Sequence, residues 1–313
     1  MTATSTTTTD PRRARDALVH NLTRVVKLPD HALEPLLCAL VAGGHALVEG
    51  IPGIGKTLLA KTLAACIDGE FRRVQFTNDL MPSDVLGTSV WQQDTGTFRF
   101  VPGPLFANLV LADEINRTSP RTLSCLLEAM ESGRVSVDGR TEQLGEPFLV
   151  LATRNPIEFH GTFPVPEAAL DRFLVRVELG YPTPQHELDL YVDGAAESRL
   201  DEVEPVMDPS QLLDLQRRCA AVQVTPPVAE YALRVVHGTR GHPQLQLGAS
   251  PRAALAWLRA AKARALLDGR AHVLPDDLKA LATAALAHRL VPEQGADVEH
   301  VIADALGAVT VPL

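Results

Sequence analysis

A chain of 313 residues exceeds one typical domain, and its 46% hydrophobic and 21% charged content excludes a wholly disordered or a fibrous polymer. Twenty-nine Lys and Arg against 38 Asp and Glu leave a formal charge of -9, which opposes non-specific attraction to phosphate backbones and argues against nucleic acid as a partner. Length alone predicts two domains.

Residues 1–13 are Thr-rich and then basic (Pro11, Arg12, Arg13). A segment with nothing apolar to bury cannot offset its own ordering entropy, so a disordered tail is expected. From Ala14 to Lys27 and from Pro29 to Ala42, apolar residues recur at helical spacing (Leu18, Leu22, Val25, Val26; Leu33, Leu36, Leu37, Leu40), and Gly43-Gly44 ends the second run. His45 to Glu49 reads as the first strand, followed by a Gly-rich turn, a helix over about 56–67 and a second strand near 72–76. That order is βαβ.

Between Leu86 and Phe106, the near-alternation of Val90, Trp91, Phe98 and Phe100 predicts an inserted hairpin. Its aromatics are expected to pack, with a partner-facing role as the alternative. Leu109 to Ala112 is a buried strand, and Ser119 to Ser132 is a helix capped by Ser119 with Pro120 in its first turn. Val135 to Val137 with Asp138-Gly139 predicts a second hairpin, and the last strands are Phe148 to Ala152 and Leu174 to Leu179. After Tyr181 the pattern is helical and Ala/Leu-rich through Leu290. The expected division is a tail at 1–13, an α/β domain at 14–182 and a small all-helical domain at 183–313.

Cys38, Cys66, Cys125 and Cys219 lie far apart with no CxxC pair, which predicts neither a zinc site nor a disulfide framework and fits reduced thiols in a cytoplasm. No apolar run approaches the ~20 residues of a bilayer span, and the amino terminus carries no apolar signal core. A soluble, cytoplasmic protein is expected.

Gly50-Ile51-Pro52-Gly53-Ile54-Gly55-Lys56-Thr57 has Walker A spacing between a predicted strand and a predicted helix. Glycines let the main chain curl so that N–H groups face phosphate, and the positive end of the next helix adds to them. Gly50, Pro52, Gly53, Ile54, Gly55, Lys56, Thr57 and Leu58 are therefore expected to cradle ATP or GTP. Lys56 should reach the β- and γ-phosphates, and Thr57 should ligate magnesium. A Gly-rich turn that binds nothing is the bland alternative.

Four apolar residues, Leu109 to Ala112, lead directly to Asp113-Glu114. This Walker B arrangement puts two carboxylates at the carboxyl end of a buried strand, where ligands gather in open α/β sheets. Asp113 can hold magnesium directly or through water, and Glu114 can take a proton from an attacking water. A solvated acidic strand end is the competing reading.

The run Asn108 to Arg117 followed by Leu126-Leu127-Glu128-Ala129-Met130 resembles the MoxR family of AAA+ ATPases. So do Phe76 to Gly87, Pro102 to Phe106, Ala152 to Glu158, Leu170-Asp171-Arg172-Phe173 and Gly248 to Ala253. The resemblance spans roughly residues 14–290 in consistent order. It implies a P-loop α/β domain with a parallel sheet and inserted hairpins, a helical lid, and a homo-oligomeric ring, usually a hexamer, with ATP between subunits. It also implies roles: Asn155 as the sensor 1 amide orienting water, Arg172 as an arginine finger reaching a neighbour's site, and Arg252 as sensor 2, closing the lid over the same nucleotide.

Each role has a plainer competitor. An Asn before Pro is commonly a turn, and Arg172 beside Asp171 could be a local ion pair. Arg252 at a helix start opposes the helix dipole and asks for an anionic partner. Arg117 and Arg121 are other trans-acting candidates, and positions 75 and 78 are candidates for coupling partner binding to Glu114. The chain departs from the family at Val26-Lys27-Leu28, where Val-Gly-Gln is usual, and at Asn78 and Arg154, where Pro and Gln are expected. The function implied is an ATP-hydrolysing, chaperone-like remodeller that helps a client mature, by metal or cofactor insertion among other routes, with a von Willebrand factor A domain protein as partner. A DNA-working motor and a nucleotide-gated switch with negligible turnover are the rivals.

Overall fold

Apolar runs without alternation must be covered on both faces, and they build the centre of this molecule. In the computed structural model, which describes residues 9–51, 53–155, 162–193 and 196–312, the helices α1 (Pro11–Val25) and α2 (Asp30–Ala42) come first. The βαβ unit follows as β1 (Ala46–Gly50), α3 (Lys56–Cys66) and β2 (Phe71–Gln75). A short helix α4 (Pro82–Leu86) and the hairpin β3 (Gly87–Gln92) and β4 (Thr97–Pro102) precede β5 (Leu109–Asp113). Then come α5 (Pro120–Ser132), the second hairpin β6 (Arg134–Val137) and β7 (Arg140–Gln143), β8 (Leu149–Arg154), α6 (Glu167–Leu170) and β9 (Val175–Leu179).

The sheet runs β2-β5-β8-β1-β9 with every pair parallel. On one face Leu47, Phe76, Val110, Leu126, Val150 and Phe173 form a core with α5. On the other, Leu111, Leu151 and Val177 join α1, α2 and α3. That second core continues without a break into the carboxy-terminal helices.

Those helices are α7 (Pro184–Asp193), α8 (Pro209–Ala221), α9 (Pro226–Arg240), then strand β10 (Leu245–Leu247), α10 (Pro251–Leu267), α11 (Pro275–Leu286), strand β11 (Val291–Pro292) and α12 (Val298–Gly307). Trp257 of α10 is fully buried and donates its indole N–H to Leu278 O at 2.8 Å, locking α10 on α11. The lid is helical apart from the antiparallel pair β10–β11. Past Leu290, where the Ala/Leu-rich pattern stops, but inside the expected span of 183–313, α12 buries Val301, Ile302 and Ala305.

Two expectations are corrected here. Helix α1 starts at Pro11, inside the expected 1–13 tail: Asp10 caps it by accepting from Arg12 N at 3.0 Å, and Arg12 Nε donates to Asp268 O at 2.7 Å. A cap plus a tertiary contact supplies what apolar periodicity could not. The hairpin aromatics divide. Phe100 packs on Phe106 with ring centroids 5.5 Å apart, whereas Trp91 and Phe98, opposite each other across the strands, pack edge to face at 5.0 Å and stay 52% and 59% exposed.

All four cysteines are free, and burial pushes the Cys66 and Cys219 thiols up to about 11. No helix among the described residues is long and apolar enough to cross a membrane.

His45, just before β1, is 8% exposed; its Nδ1 accepts from Val150 N at 3.0 Å, so its Nε2–H donates to Met130 O, also at 3.0 Å. Desolvation lowers its pKa to about 4, and burial lowers that of His288 as well. A histidine held neutral in the fold and free to protonate when unfolded contributes stability above its unfolded pKa near 6.5 and loses it as pH falls. Melting temperature should therefore drop steadily between pH 6.5 and 4, and the drop should be smaller in a His45→Gln variant. Parallel curves for both proteins would show that His45 is not responsible.

Candidate functional site

The phosphate loop leaves the carboxyl end of β1, and its shape needs glycine at defined places. A Cβ on Gly50 would lie 2.3 Å from Ile54 Cδ1 and 2.7 Å from Leu179 O. Gly55 caps α3 in the left-handed region at φ +89. Around Gly53 a Cβ would meet nothing within 4 Å, so this side of the loop is open. Lys56 Nζ donates to Gly50 O at 2.8 Å, folded over the loop. Val26, at the end of α1, has its Cγ1 3.9 Å from a Cβ placed on Gly55, which puts the divergent Val26-Lys27-Leu28 segment beside the loop. Pro52 lies outside the described residues.

Asp113 and Glu114 end β5 in a network the sequence reading largely missed. Asp113, 7% exposed, accepts from Thr153 Oγ1 at 2.5 Å and from Arg73 Nη2 at 2.6 Å. Thr153 Oγ1 in turn accepts the Glu114 N–H at 2.8 Å. That bond holds Glu114 in a left-handed conformation (φ 59, ψ 51), which costs a non-glycine residue roughly 1–3 kcal/mol and recurs at functional sites. The Glu114 carboxylate accepts from Gln75 Nε2 at 2.7 Å and pairs with Arg117 Nε at 3.2 Å. Of positions 75 and 78, it is therefore Gln75 that touches Glu114. Asn155 is buried directly after β8 at the same edge. Arg154 bonds the buried Glu49, which precedes Gly50.

The signal for Thr153 was present in the sequence. β8 pairs with β5 through Ala152 and Ala112, so Thr153, the first polar residue of β8 after its apolar run, stands beside Asp113. Arg73 was hidden because β2 is an edge strand whose exposed cations look like ordinary solvated surface.

Arg172 and Arg252 sit elsewhere. Val175 pairs with Ala46 and Leu179 with Gly50, so Arg172 precedes the amino end of β9 while the phosphate loop leaves the opposite end of β1. The paired residues alone span roughly 13 Å. Arg172 Nη2 lies 3.0 Å from Glu131 Oε2, and Arg252 Nη2 lies 3.1 Å from Glu131 Oε1. Both line a cavity of about 460 Å³ with Arg259, Arg289, Glu131 and Asp171. The expectation that Arg252 closes over its own chain's nucleotide is therefore corrected: α10 carries it to the amino edge of the sheet, beside Arg172. Arg117 pairs with its own Glu114 instead, and Arg121 is exposed on α5.

The pattern of ATPases associated with various cellular activities matches residues 45–175, and the AAA lid domain matches residues 237–305. Chaperone MoxR1 of Mycobacterium tuberculosis is 40% identical over 87% of this chain and 74% of its own length. The chain belongs to the MoxR family of AAA+ ATPases. The uncharacterized protein YeaC of Bacillus subtilis is 47% identical over 88% of each chain. A crystal structure of a candidate ATPase from Cytophaga hutchinsonii superposes with a TM-score of 0.88 at 34% identity, covering 97% of this chain and 96% of that one.

Members of such a family bind nucleotide, usually with magnesium, and the donor chemistry here fits that ion. Magnesium takes oxygen ligands and keeps several from water and phosphate. Thr57 and Asp113 offer oxygens, and no cluster of three or more His, Cys, Asp or Glu stands ready to hold a metal alone among the described residues. Thr153→Val keeps the shape of the strand but removes the hydroxyl that bonds the Asp113 carboxylate and the Glu114 N–H. It should slow phosphate release from ATP by at least about tenfold and destabilise by about 1–3 kcal/mol, the cost of leaving the Glu114 N–H unpaired. Unchanged turnover would show that this brace does not matter for the site.

Proposed function

We propose that this MoxR-family protein hydrolyses ATP with magnesium as a ring of identical subunits, six in the family's usual form. The cycle would remodel a client protein or complex in the cytoplasm. One observation supports the reading: Asp113, Glu114 and the phosphate loop lie at the carboxyl edge of the parallel sheet, while Arg172 and Arg252 lie together at its amino edge. Only a second copy brings the two together.

In this reading Gly50, Gly53, Ile54, Gly55 and Leu58 shape the loop whose N–H groups hold the triphosphate, and Lys56 turns from Gly50 O to the β- and γ-phosphates. Thr57 and Asp113 would hold magnesium, which when bound neutralises phosphate charge. Glu114 accepts the proton of the attacking water after leaving Gln75 and Arg117, and Asn155 orients that water. Arg172 and Arg252 offset charge on the γ-phosphate of the neighbouring subunit. The name of the mycobacterial relative supports a chaperone-like role, with a von Willebrand factor A domain protein as partner and metal or cofactor insertion as one form of client maturation.

The test mixes inactive subunits. Lys56→Ala and Arg172→Ala should each release little phosphate, and so should Arg252→Ala. Mixing Lys56→Ala with either arginine variant should restore activity, because a mixed boundary pairs an intact loop with intact arginines. If labelled subunits exchange and no ratio restores turnover, the arginines do not act across the boundary. For the partner, a Glu114→Gln trap loaded with ATP should retain a von Willebrand factor A domain protein from native lysate, and repeated recovery of none would overturn that part.

A further inference from the structure

Glu131 is the penultimate residue of α5, where the helix's own carbonyls already present negative charge and no basic residue stands in the last turn. A carboxylate there is disfavoured by the helix dipole. Arg252 has the reverse problem, lying in the first turn of α10 just after the Ser250 cap and Pro251. Neither charge is explained by its own helix, and each is explained by the other. Glu131 Oε1 receives Arg252 Nη2 at 3.1 Å, while Glu131 Oε2 receives Arg172 Nε at 3.2 Å and lies 3.0 Å from Nη2. One carboxylate thus spans two guanidiniums, one from the loop before β9 and one from the lid.

The neighbouring acid does different work. Asp171 pairs with the buried Arg289 at 3.0 Å and reaches Arg252 only at 3.9 Å. Arg289 is further spent on the carbonyls of Ala285 and Phe173. Glu131 is therefore the group that sets the spacing between Arg172 and Arg252, and Arg172 is steadied besides by the Ala168 carbonyl at 2.8 Å.

We propose that Glu131 is a positioning residue that holds Arg172 and Arg252 side by side so that both reach one phosphate group of the neighbouring subunit's nucleotide. The proposal rests on the reading that these arginines act in trans. Two cations brought together repel each other, and a half-exposed carboxylate between them offsets that repulsion without the cost of burying it. It also limits the rotamers each long side chain must give up on docking.

Glu131→Ala should lower kcat for ATP on the order of tenfold while KM moves by less than about threefold, since its own phosphate loop is untouched. Melting temperature should stay close to that of the wild type, because the ill-placed helix charge removed and the half-exposed ion pairs lost oppose each other. Glu131→Gln, which keeps one acceptor oxygen, should fall between wild type and Glu131→Ala. In a Glu114→Gln background, Glu131→Ala should raise the ATP concentration needed for ring assembly, read by sedimentation without any turnover. Mixed with Lys56→Ala, the Glu131→Ala protein should recover activity as Arg172→Ala does, because the defect lies on the donor face. Full or increased kcat in Glu131→Ala would overturn the proposal, as would failure of its mixture to recover while the Arg172→Ala mixture does. If the Arg172→Ala mixture itself fails, the trans reading falls first and takes this inference with it.

Discussion

The parallel strands of the sheet set a distance that no side chain can cross. β1 carries the phosphate loop at its carboxyl end, and the strand beside it, β9, begins next to Arg172. An arginine reaches about half the roughly 13 Å that separates those ends along the paired residues. Because the strands are parallel, every carboxyl end collects at one edge and every amino end at the other. Separation of Arg172 and Arg252 from Asp113, Glu114 and the phosphate loop is thus a consequence of topology, and in the proposed ring the pairing of copies would bring them together.

The separate chain meets each charged group at these edges with a local partner. Lys56 rests on Gly50 O, Asp113 on Arg73 and Thr153, Glu114 on Gln75 and Arg117, and the two arginines on Glu131. The partners differ in what it takes to leave them. Arg73 is 47% exposed, so water can take its place at the Asp113 carboxylate. Thr153 is fully buried, and breaking its bonds would strand polar groups without solvent. The Asp113 carboxylate and the Glu114 backbone are accordingly fixed, while the exposed arginine ends around them can exchange.

Much of this was legible in the sequence because local rules and global fold agree there. The loop glycines, the apolar run ending in Asp113-Glu114 and the Ser119-Pro120 helix start each follow from chemistry within a few residues. What was not legible depends on neighbours across the sheet. Thr153 gains its role from register with β5, Glu131 from a helix end that faces the lid, and Asp10 from a cap whose helix is anchored 256 residues away through Arg12 and Asp268. Arg252 is the instructive case. Its sequence context demanded an anion, and the structure supplies one, yet the anion belongs to the other edge of the sheet.

That placement follows from how the lid is packed. Were the helical domain a flap on a hinge, Arg252 could swing over its own loop. Instead α10 is buried in the same core that supports α2 and β9, with Trp257 fully enclosed and Arg259 donating to Ala42 O at 2.9 Å and Gly43 O at 2.8 Å. Moving α10 by one strand length would expose that core, at a cost far above what a surface ion pair returns. The lid and the amino edge of the sheet therefore form one packed unit, and Arg252 and Arg172 are held together on it, away from their own chain's phosphate loop.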